Sequence, residues 1–178
     1  MESTVYIATS VDGFIARENG SIDWLPSGGE SESEDYGYQD FMNSVDALIM
    51  GRNTYEMVLS FGDWPYGKKP VVVLSSQQLE VPERISDTVS IMCATPGEIV
   101  QQLTEQGYQH LYIDGGKTIQ EFMREGLIQN LIITKIPILI GSGIPLFGAL
   151  PQDIRLHHIE TIQFENGLVQ SKYKLLNQ

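Results

Sequence analysis

Five short apolar runs, separated by segments with helical spacing, set what this chain can fold into. They are Val5-Tyr6-Ile7-Ala8, Ala47-Leu48-Ile49-Met50, Val71-Val72-Val73-Leu74, Leu111-Tyr112-Ile113 and Leu131-Ile132-Ile133-Thr134. Each is short, rich in β-branched or aromatic residues, and bounded by Gly, Pro, Asp or Ser, which reads as a strand. A run that is apolar at every position has no solvent face. It suits a strand covered on both sides, as in parallel sheets.

Helical patterns lie between these runs. Asp35 to Ser44 predicts a helix with Tyr38, Phe41 and Met42 on one side. Pro96 to Gln106 has Thr95 as cap, Pro96 in the first turn and Gly107 as stop. Thr118 to Glu125 carries Ile119, Phe122 and Met123 at i, i+3 and i+4, and Gly126 ends it. Strand and helix alternate, so the expectation is an α/β fold with a mostly parallel central sheet. The end differs. Ile154 to Phe164 and Leu168 to Leu175 flank Glu165-Asn166-Gly167, which predicts an antiparallel C-terminal hairpin at the sheet edge. The 178 residues fit one domain, 1–178.

Composition narrows the functional classes. With 42% hydrophobic and 19% charged residues, the chain can bury a core. Its 23 acids against 11 bases give −12, which argues against nucleic acid or an anionic membrane surface as partner. The charge is uneven: residues 1–60 hold 11 acids and 2 bases, with Glu30, Glu32, Glu34, Asp35 and Asp40 in one run. Such a run reads as a solvated loop or the acidic first turn of a helix. The one cysteine, Cys93, reads as a small buried hydrophobe. No metal site is expected, since His157 and His158 would point to opposite faces of a strand. The start lacks a basic stretch followed by a long apolar run, and Ile136 to Ile140 is too short to span a bilayer. A cytoplasmic protein is expected.

Three strand ends could carry chemistry. Leu48-Ile49-Met50-Gly51-Arg52-Asn53-Thr54-Tyr55-Glu56 takes a buried strand through Gly51 into a helix start. Free N–H groups and the helix dipole there favour a phosphate, and Arg52 and Thr54 add a charge and a hydroxyl. An ordinary strand-to-helix turn with a surface arginine reads equally well. Asp114-Gly115-Gly116-Lys117-Thr118 repeats the logic, with two glycines that allow a pyrophosphate to come close. Neither GxGxxG nor GxxxxGK[ST] occurs. Ser75 and Ser76, past the third strand, could hold a phosphate oxygen or simply shape a turn.

These segments in this order, together with Ala8-Thr9-Ser10-Val11-Asp12-Gly13-Phe14-Ile15-Ala16, resemble the dihydrofolate reductase-like superfamily. Asp114-Gly115-Gly116 and Pro137 to Phe147 are similar to the C-terminal reductase domain of the bacterial bifunctional riboflavin-biosynthesis deaminase–reductase. The zinc deaminase half has no counterpart, since no HxE or PCxxC pattern occurs. The resemblance implies a three-layer α/β/α fold and a stand-alone reductase using NADPH. It implies that Gly51, Arg52, Thr54, Ser75, Ser76, Gly115, Gly116, Lys117 and Thr118 hold the cofactor, with Ala8 and Ile15 beside the nicotinamide. Trp24, Tyr38 and Thr134 are expected on the substrate side, and Trp24-Leu25-Pro26 as a lid hinged at Gly28-Gly29. Gly116→Val would then block the pyrophosphate path.

Two carboxylates are candidates for catalysis. Asp35 aligns with the single carboxylate that assists protonation in dihydrofolate reductases, with its neighbours Glu34 and Asp40 as alternatives if that loop is longer, but could instead cap a helix. Asp114 could serve, or could orient the Gly-Gly turn. The implied reaction reduces 5-amino-6-(5-phosphoribosylamino)uracil. The alternatives are a dihydrofolate or pterin reductase and, in another class, a non-catalytic nucleotide-binding module. The shortage of bases in residues 1–60 weighs against a phosphorylated substrate. A homodimer through the C-terminal strands or the Ile138 to Phe147 loop is also implied.

Overall fold

The structure is a computed structural model and describes residues 1–26 and 35–176. Among these, eight strands form one sheet. In chain order they are β1 (Glu2–Ser10), β3 (Ala47–Gly51), β4 (Val71–Leu74), β5 (Val89–Met92), β6 (His110–Asp114), β7 (Asn130–Ile136), β9 (Leu156–Gln163) and β10 (Val169–Leu175). Two further strands, β2 (Phe14–Ala16) and β8 (Ile144–Pro145), form a separate antiparallel ribbon. The large sheet runs β5-β4-β3-β6-β1-β7-β10-β9. Its first six strands pair in parallel, and the last two join antiparallel as the C-terminal hairpin. The fold is the expected α/β architecture.

Alternating side chains divide the core in two. Helices α1 (Tyr38–Ser44) and α2 (Arg52–Ser60) place Phe41, Met42 and Tyr55 on one face of the sheet, against Leu48, Met50 and Val73. Helices α3 (Pro96–Glu105) and α4 (Gly116–Arg124) cover the other face. There Ile99, Leu103, Ile119 and Phe122 meet Ala47, Ile49 and Ile113. Full burial of each such aliphatic or aromatic side chain contributes roughly 1.5–3 kcal/mol. Helix α3 starts as expected, with Thr95 and Glu98 forming a complete capping box.

Several expectations change. Helix α1 begins at Tyr38 rather than Asp35, because Tyr36 (φ 55) and Gly37 (φ 81) are left-handed. Helix α4 begins two residues earlier than its apolar pattern, at Gly116. Strands β2, β5 and β8 carry too little apolar periodicity to stand out in the sequence. Cys93 is exposed, since it lies just past the end of the outermost parallel strand. The expected hinge Gly28-Gly29 and the acids Glu30, Glu32 and Glu34 lie outside the described residues. No described helix is long and apolar enough to cross a membrane.

Candidate active site

Two strand-to-helix turns meet at one point. Strand β3 leads into α2 on one face of the sheet, and its neighbour β6 leads into α4 on the other. Adjacent strands whose helices leave to opposite faces open a crevice at their C-terminal ends, where ligands of open α/β sheets bind. Here the two turns touch. A methyl group at Gly115 would lie 2.5 Å from Thr54 Oγ1 and 3.8 Å from the Gly51 nitrogen. One at Gly51 would lie 3.0 Å from Thr118 Oγ1. Gly51, Thr54, Gly115 and Thr118 are therefore one cluster.

Both helices start without a side-chain cap, unlike α3. Their first N–H groups are open to an acceptor in the crevice. Gly115 sits at φ 89, a left-handed region that side chains avoid. Arg52 reaches across to the Gln77 Oε1 and lies 3.9 Å from Glu56. Ser75 Oγ bonds the Gln77 backbone in both directions, at 2.9 and 3.0 Å, and forms the turn after β4. Gln77, which the sequence did not single out, thus links the Ser75 turn to Arg52. Ser76 and Lys117 are exposed, with Lys117 3.9 Å from Glu121.

Gly116 has a different neighbourhood from the one expected. A methyl group there would meet Ile15 Cδ1 at 2.9 Å, Ile144 Cγ2 at 3.1 Å and the Pro145 carbonyl at 3.5 Å. The space that a side chain at Gly116 would take is filled by the β2–β8 ribbon. Gly116→Val is therefore expected to cost about 1–3 kcal/mol of stability through overpacking, read by chemical denaturation. It displaces Ile15 together with the ribbon, so any change in ligand binding follows the loss of stability.

The sheet itself splits beside Asp114. Strand β1 pairs with β6 only over Glu2–Thr4, but with β7 from Thr4 to Ser10. Beyond Thr4 the edges of β1 and β6 face each other without a ladder. The Tyr112 hydroxyl fills part of that gap by donating to the Tyr6 carbonyl at 2.9 Å. Ala8 lies farther along the open edge, in register with Thr134 and in the same apolar cluster as Trp24. Trp24 is buried and packs on Ile136 and Leu168, separate from the cluster that holds Tyr38.

The two candidate carboxylates differ in setting. Asp35 is exposed and accepts the N–H groups of Gly37 at 3.0 Å and Gln39 at 2.9 Å. Those bonds hold its pKa below the ordinary value, so it stays ionised. It serves the start of α1. Asp35→Ala is expected to cost about 1 kcal/mol, as loss of a cap does, and to change turnover less than threefold. A large fall in turnover at unchanged stability would return the proton role to Asp35.

Asp114 ends β6 on the face of α1, in register with Met50. It keeps a little surface, yet the surrounding protein desolvates the carboxyl and pushes its pKa up to about 6. Its one opposing influence is the Gly115 N–H, which donates to Oδ1 at 2.8 Å. Three phenols share this environment. Burial, reinforced by the Asp114 charge, raises Tyr38 to about 12 and raises Tyr66 and Tyr112 as well. Near neutral pH the cleft therefore presents neutral phenols around a carboxyl able to hold or release a proton. Neither Tyr66 nor Tyr112 was singled out as a site residue in the sequence, since each reads as core.

Thr134 lies deeper. Gln170 Nε2 donates to Thr134 Oγ1 at 3.0 Å, Tyr6 Oη at 3.2 Å and the Tyr36 carbonyl at 3.1 Å. The Tyr6 hydroxyl also donates to that carbonyl, at 2.7 Å. Gln170 thus fixes the floor beside the open edge of β1.

A mostly parallel α/β/α sandwich with this split sheet and paired glycine turns has the dihydrofolate reductase-like fold. Residues 3–170 match the family model of the RibD C-terminal domain, and the chain belongs to that family. A Shewanella protein provisionally assigned to riboflavin biosynthesis superposes with a TM-score of 0.92 at 44% identity, covering 99% of this chain and 100% of its own. The uncharacterized protein YwjB of Bacillus subtilis is 38% identical, covering 92% of each chain. Dihydrofolate reductase from Enterococcus faecalis, solved with NADP(H), shares the fold with a TM-score of 0.69 at 17% identity, covering 99% of this chain and 97% of its own.

Proposed function

We propose that this protein is an NADPH-dependent reductase that reduces a C=N or C=O bond of a planar nitrogen heterocycle or of the sugar group it carries. The observation that carries this reading is the crevice where uncapped α2 and α4 meet through Gly51, Thr54, Gly115 and Thr118, with Asp114 at the adjoining split in the sheet. Those residues fit a dinucleotide. The N–H groups of both helix starts would hold the pyrophosphate, and Arg52, with Ser75 and Ser76, would hold the adenosine phosphate. Ala8 and the unpaired edge of β1 would face the nicotinamide, with Ile15 beside Gly116. A reduced nicotinamide supplies the hydride once bound.

The protein's own part is position and a proton. Asp114, favoured in its neutral form by burial, would deliver the proton directly or through one water. Tyr38 and Tyr66 would exclude water and lie against the ring, and the Thr134 hydroxyl, fixed by Gln170, would orient it. The resemblance points to reduction of the ribosyl group carried by the pyrimidine of riboflavin biosynthesis, with reduction of a pterin or dihydrofolate ring as the alternative. The dimer it implies is supported by β9, an edge strand exposed along its whole length that presents Leu156, Ile159 and Ile162.

Titration with NADPH, followed by quenching of tryptophan emission and then by absorbance of the reduced nicotinamide with pyrimidine and pterin substrates, tests the proposal. Saturable binding and oxidation by one of them are expected. Binding without oxidation would favour a non-catalytic nucleotide-binding module, and no binding of NADPH or NADH would end the reductase reading.

A further inference from the structure

The cleft at the split sheet carries an acid and no base, and this bears on what it admits. All 11 lysines and arginines of the chain fall within the described residues. Arg84 is the base nearest the Trp64–Tyr66 segment in its bonding, and it is engaged by the Gly62 carbonyl at 2.8 Å. Arg124 ends α4 on the other face of the sheet, Arg155 is exposed ahead of β9, and Lys174 is exposed on β10 in register with Asn130. Arg52 and Lys117 stand at the glycine turns. Arg17 is paired with Asp23 at 2.6 Å, and Lys69 donates to the Val45 carbonyl at 2.6 Å. Lys172 is the base closest in strand register to the cleft, through Tyr6, Ile132 and Lys172 on adjacent strands, and it is bonded to Glu160 at 2.7 Å. Lys135 follows Thr134 and so projects from the opposite face of β7. Lys68, two residues past Tyr66, is exposed.

The charges felt inside the cleft agree with this placement. The charged side chain that acts on Tyr38, Tyr66 and Tyr112 is Asp114 in every case, and no base figures among their influences. The walls are flat and aromatic. Tyr6 stacks on Phe41 with ring centroids 4.9 Å apart and meets Tyr38 edge-on at 5.5 Å, while Trp64 meets Tyr66 at 5.1 Å. A phosphate dianion brought here would lose its hydration beside a carboxylate, with no guanidinium or ammonium to replace the water. A neutral or proton-accepting ring would find aromatic faces, the Tyr38 and Tyr66 phenols and a carboxyl, the Tyr6 and Tyr112 hydroxyls already donating to carbonyls.

We infer that the substrate is a planar nitrogen heterocycle that carries no phosphate, so the cleft selects against the phosphorylated pyrimidine of the family reaction. This rests on the reductase reading above and names its substrate class. Charge is thereby divided within one crevice, with bases at the cofactor turns and an acid where the substrate lies.

The test uses the full-length protein loaded with NADP⁺, whose binding is measured first. Two matched pairs are then titrated by fluorescence quenching: 5-amino-6-ribitylaminouracil with its 5′-phosphate, and dihydroneopterin with its phosphate. At least one unphosphorylated member is expected to bind tenfold or more tightly than its ester. The titrations are made at pH 8, where the Asp114 carboxyl is ionised, and in Asp114→Asn the gap is expected to narrow severalfold, because the repelling charge is gone. Equal or tighter binding of the esters by the wild type, a gap unchanged in Asp114→Asn, or failure of both unphosphorylated compounds to bind the loaded protein would overturn the inference. Failure to bind NADP⁺ in the first step would instead bring down the reductase reading, and this inference with it.

Discussion

Asp114→Asn is expected to lower kcat about 10²–10³-fold, the range a positioned general acid supplies, while leaving the Kd for NADPH within about twofold. The amide keeps the size of the carboxyl and can still accept the Gly115 N–H, so the turn is preserved. What it loses is the proton. In the wild type, kcat should fall as pH rises through about 6, the value to which burial lifts this carboxyl, and the variant should lack that limb. Stability gives an independent sign. A carboxyl raised from its ordinary value favours the folded state while protonated. That contribution is whole below about 4 and lost as pH rises through about 6. At pH 8 the Asn variant should therefore be more stable than the wild type by on the order of 1–3 kcal/mol, a few degrees in Tm. At pH 3.5 the two should coincide. Loss of activity in step with loss of NADPH binding would mean that Asp114 only shapes the turn.

Gly115→Ala tests the other half of the site. The residue sits at φ 89, where a side chain costs roughly 1–3 kcal/mol, and its methyl group would press on Thr54 Oγ1 at 2.5 Å. Relief requires the two turns to part, which separates the N–H groups of α2 from those of α4. The expected result is a lower Tm together with a rise of at least about tenfold in the Kd for NADPH, equivalent to 1.4 kcal/mol. Adding Thr54→Ala should recover part of the stability, since it removes the crowded hydroxyl but leaves the backbone strain. A Gly115→Ala protein that binds NADPH normally would place the cofactor elsewhere.

The sheet was legible in the sequence because its central strands are apolar at every position, and a strand covered on both faces has no other pattern. The paired turns were legible because glycine at a strand end followed by helix spacing is a local signal. What the sequence concealed depends on contacts distant along the chain. Asp35 and Asp114 are both plausible acids when read singly. Only the left-handed Tyr36 and Gly37, which carry Asp35 out to solvent, and the packing that desolvates Asp114 separate them. That a side chain at Gly116 would meet a ribbon could not be read locally, because the ribbon comes from residues 14–16 and 144–145. Tyr66 and Tyr112 read as core because a buried tyrosine shows no sequence mark of the charge it faces.

The Gln170 contacts have a consequence for the order in which the molecule can be built. Tyr36 leads into the first helix, yet its carbonyl is held by Gln170, its ring lies edge-on to Phe164 at 4.8 Å, and its hydroxyl accepts from Asn166 at 2.7 Å. These partners leave the ribosome some 130 residues after Tyr36. The parallel strands can assemble earlier from their own apolar runs, and Tyr6 and Asp35 can then hold the strained turn that sets α1 over the sheet, but only the final hairpin adds Phe164, Asn166 and Gln170. A nascent chain halted before that hairpin would thus have most of its hydrophobic core and no finished cleft. Competence to bind substrate would come only with the last strands synthesised.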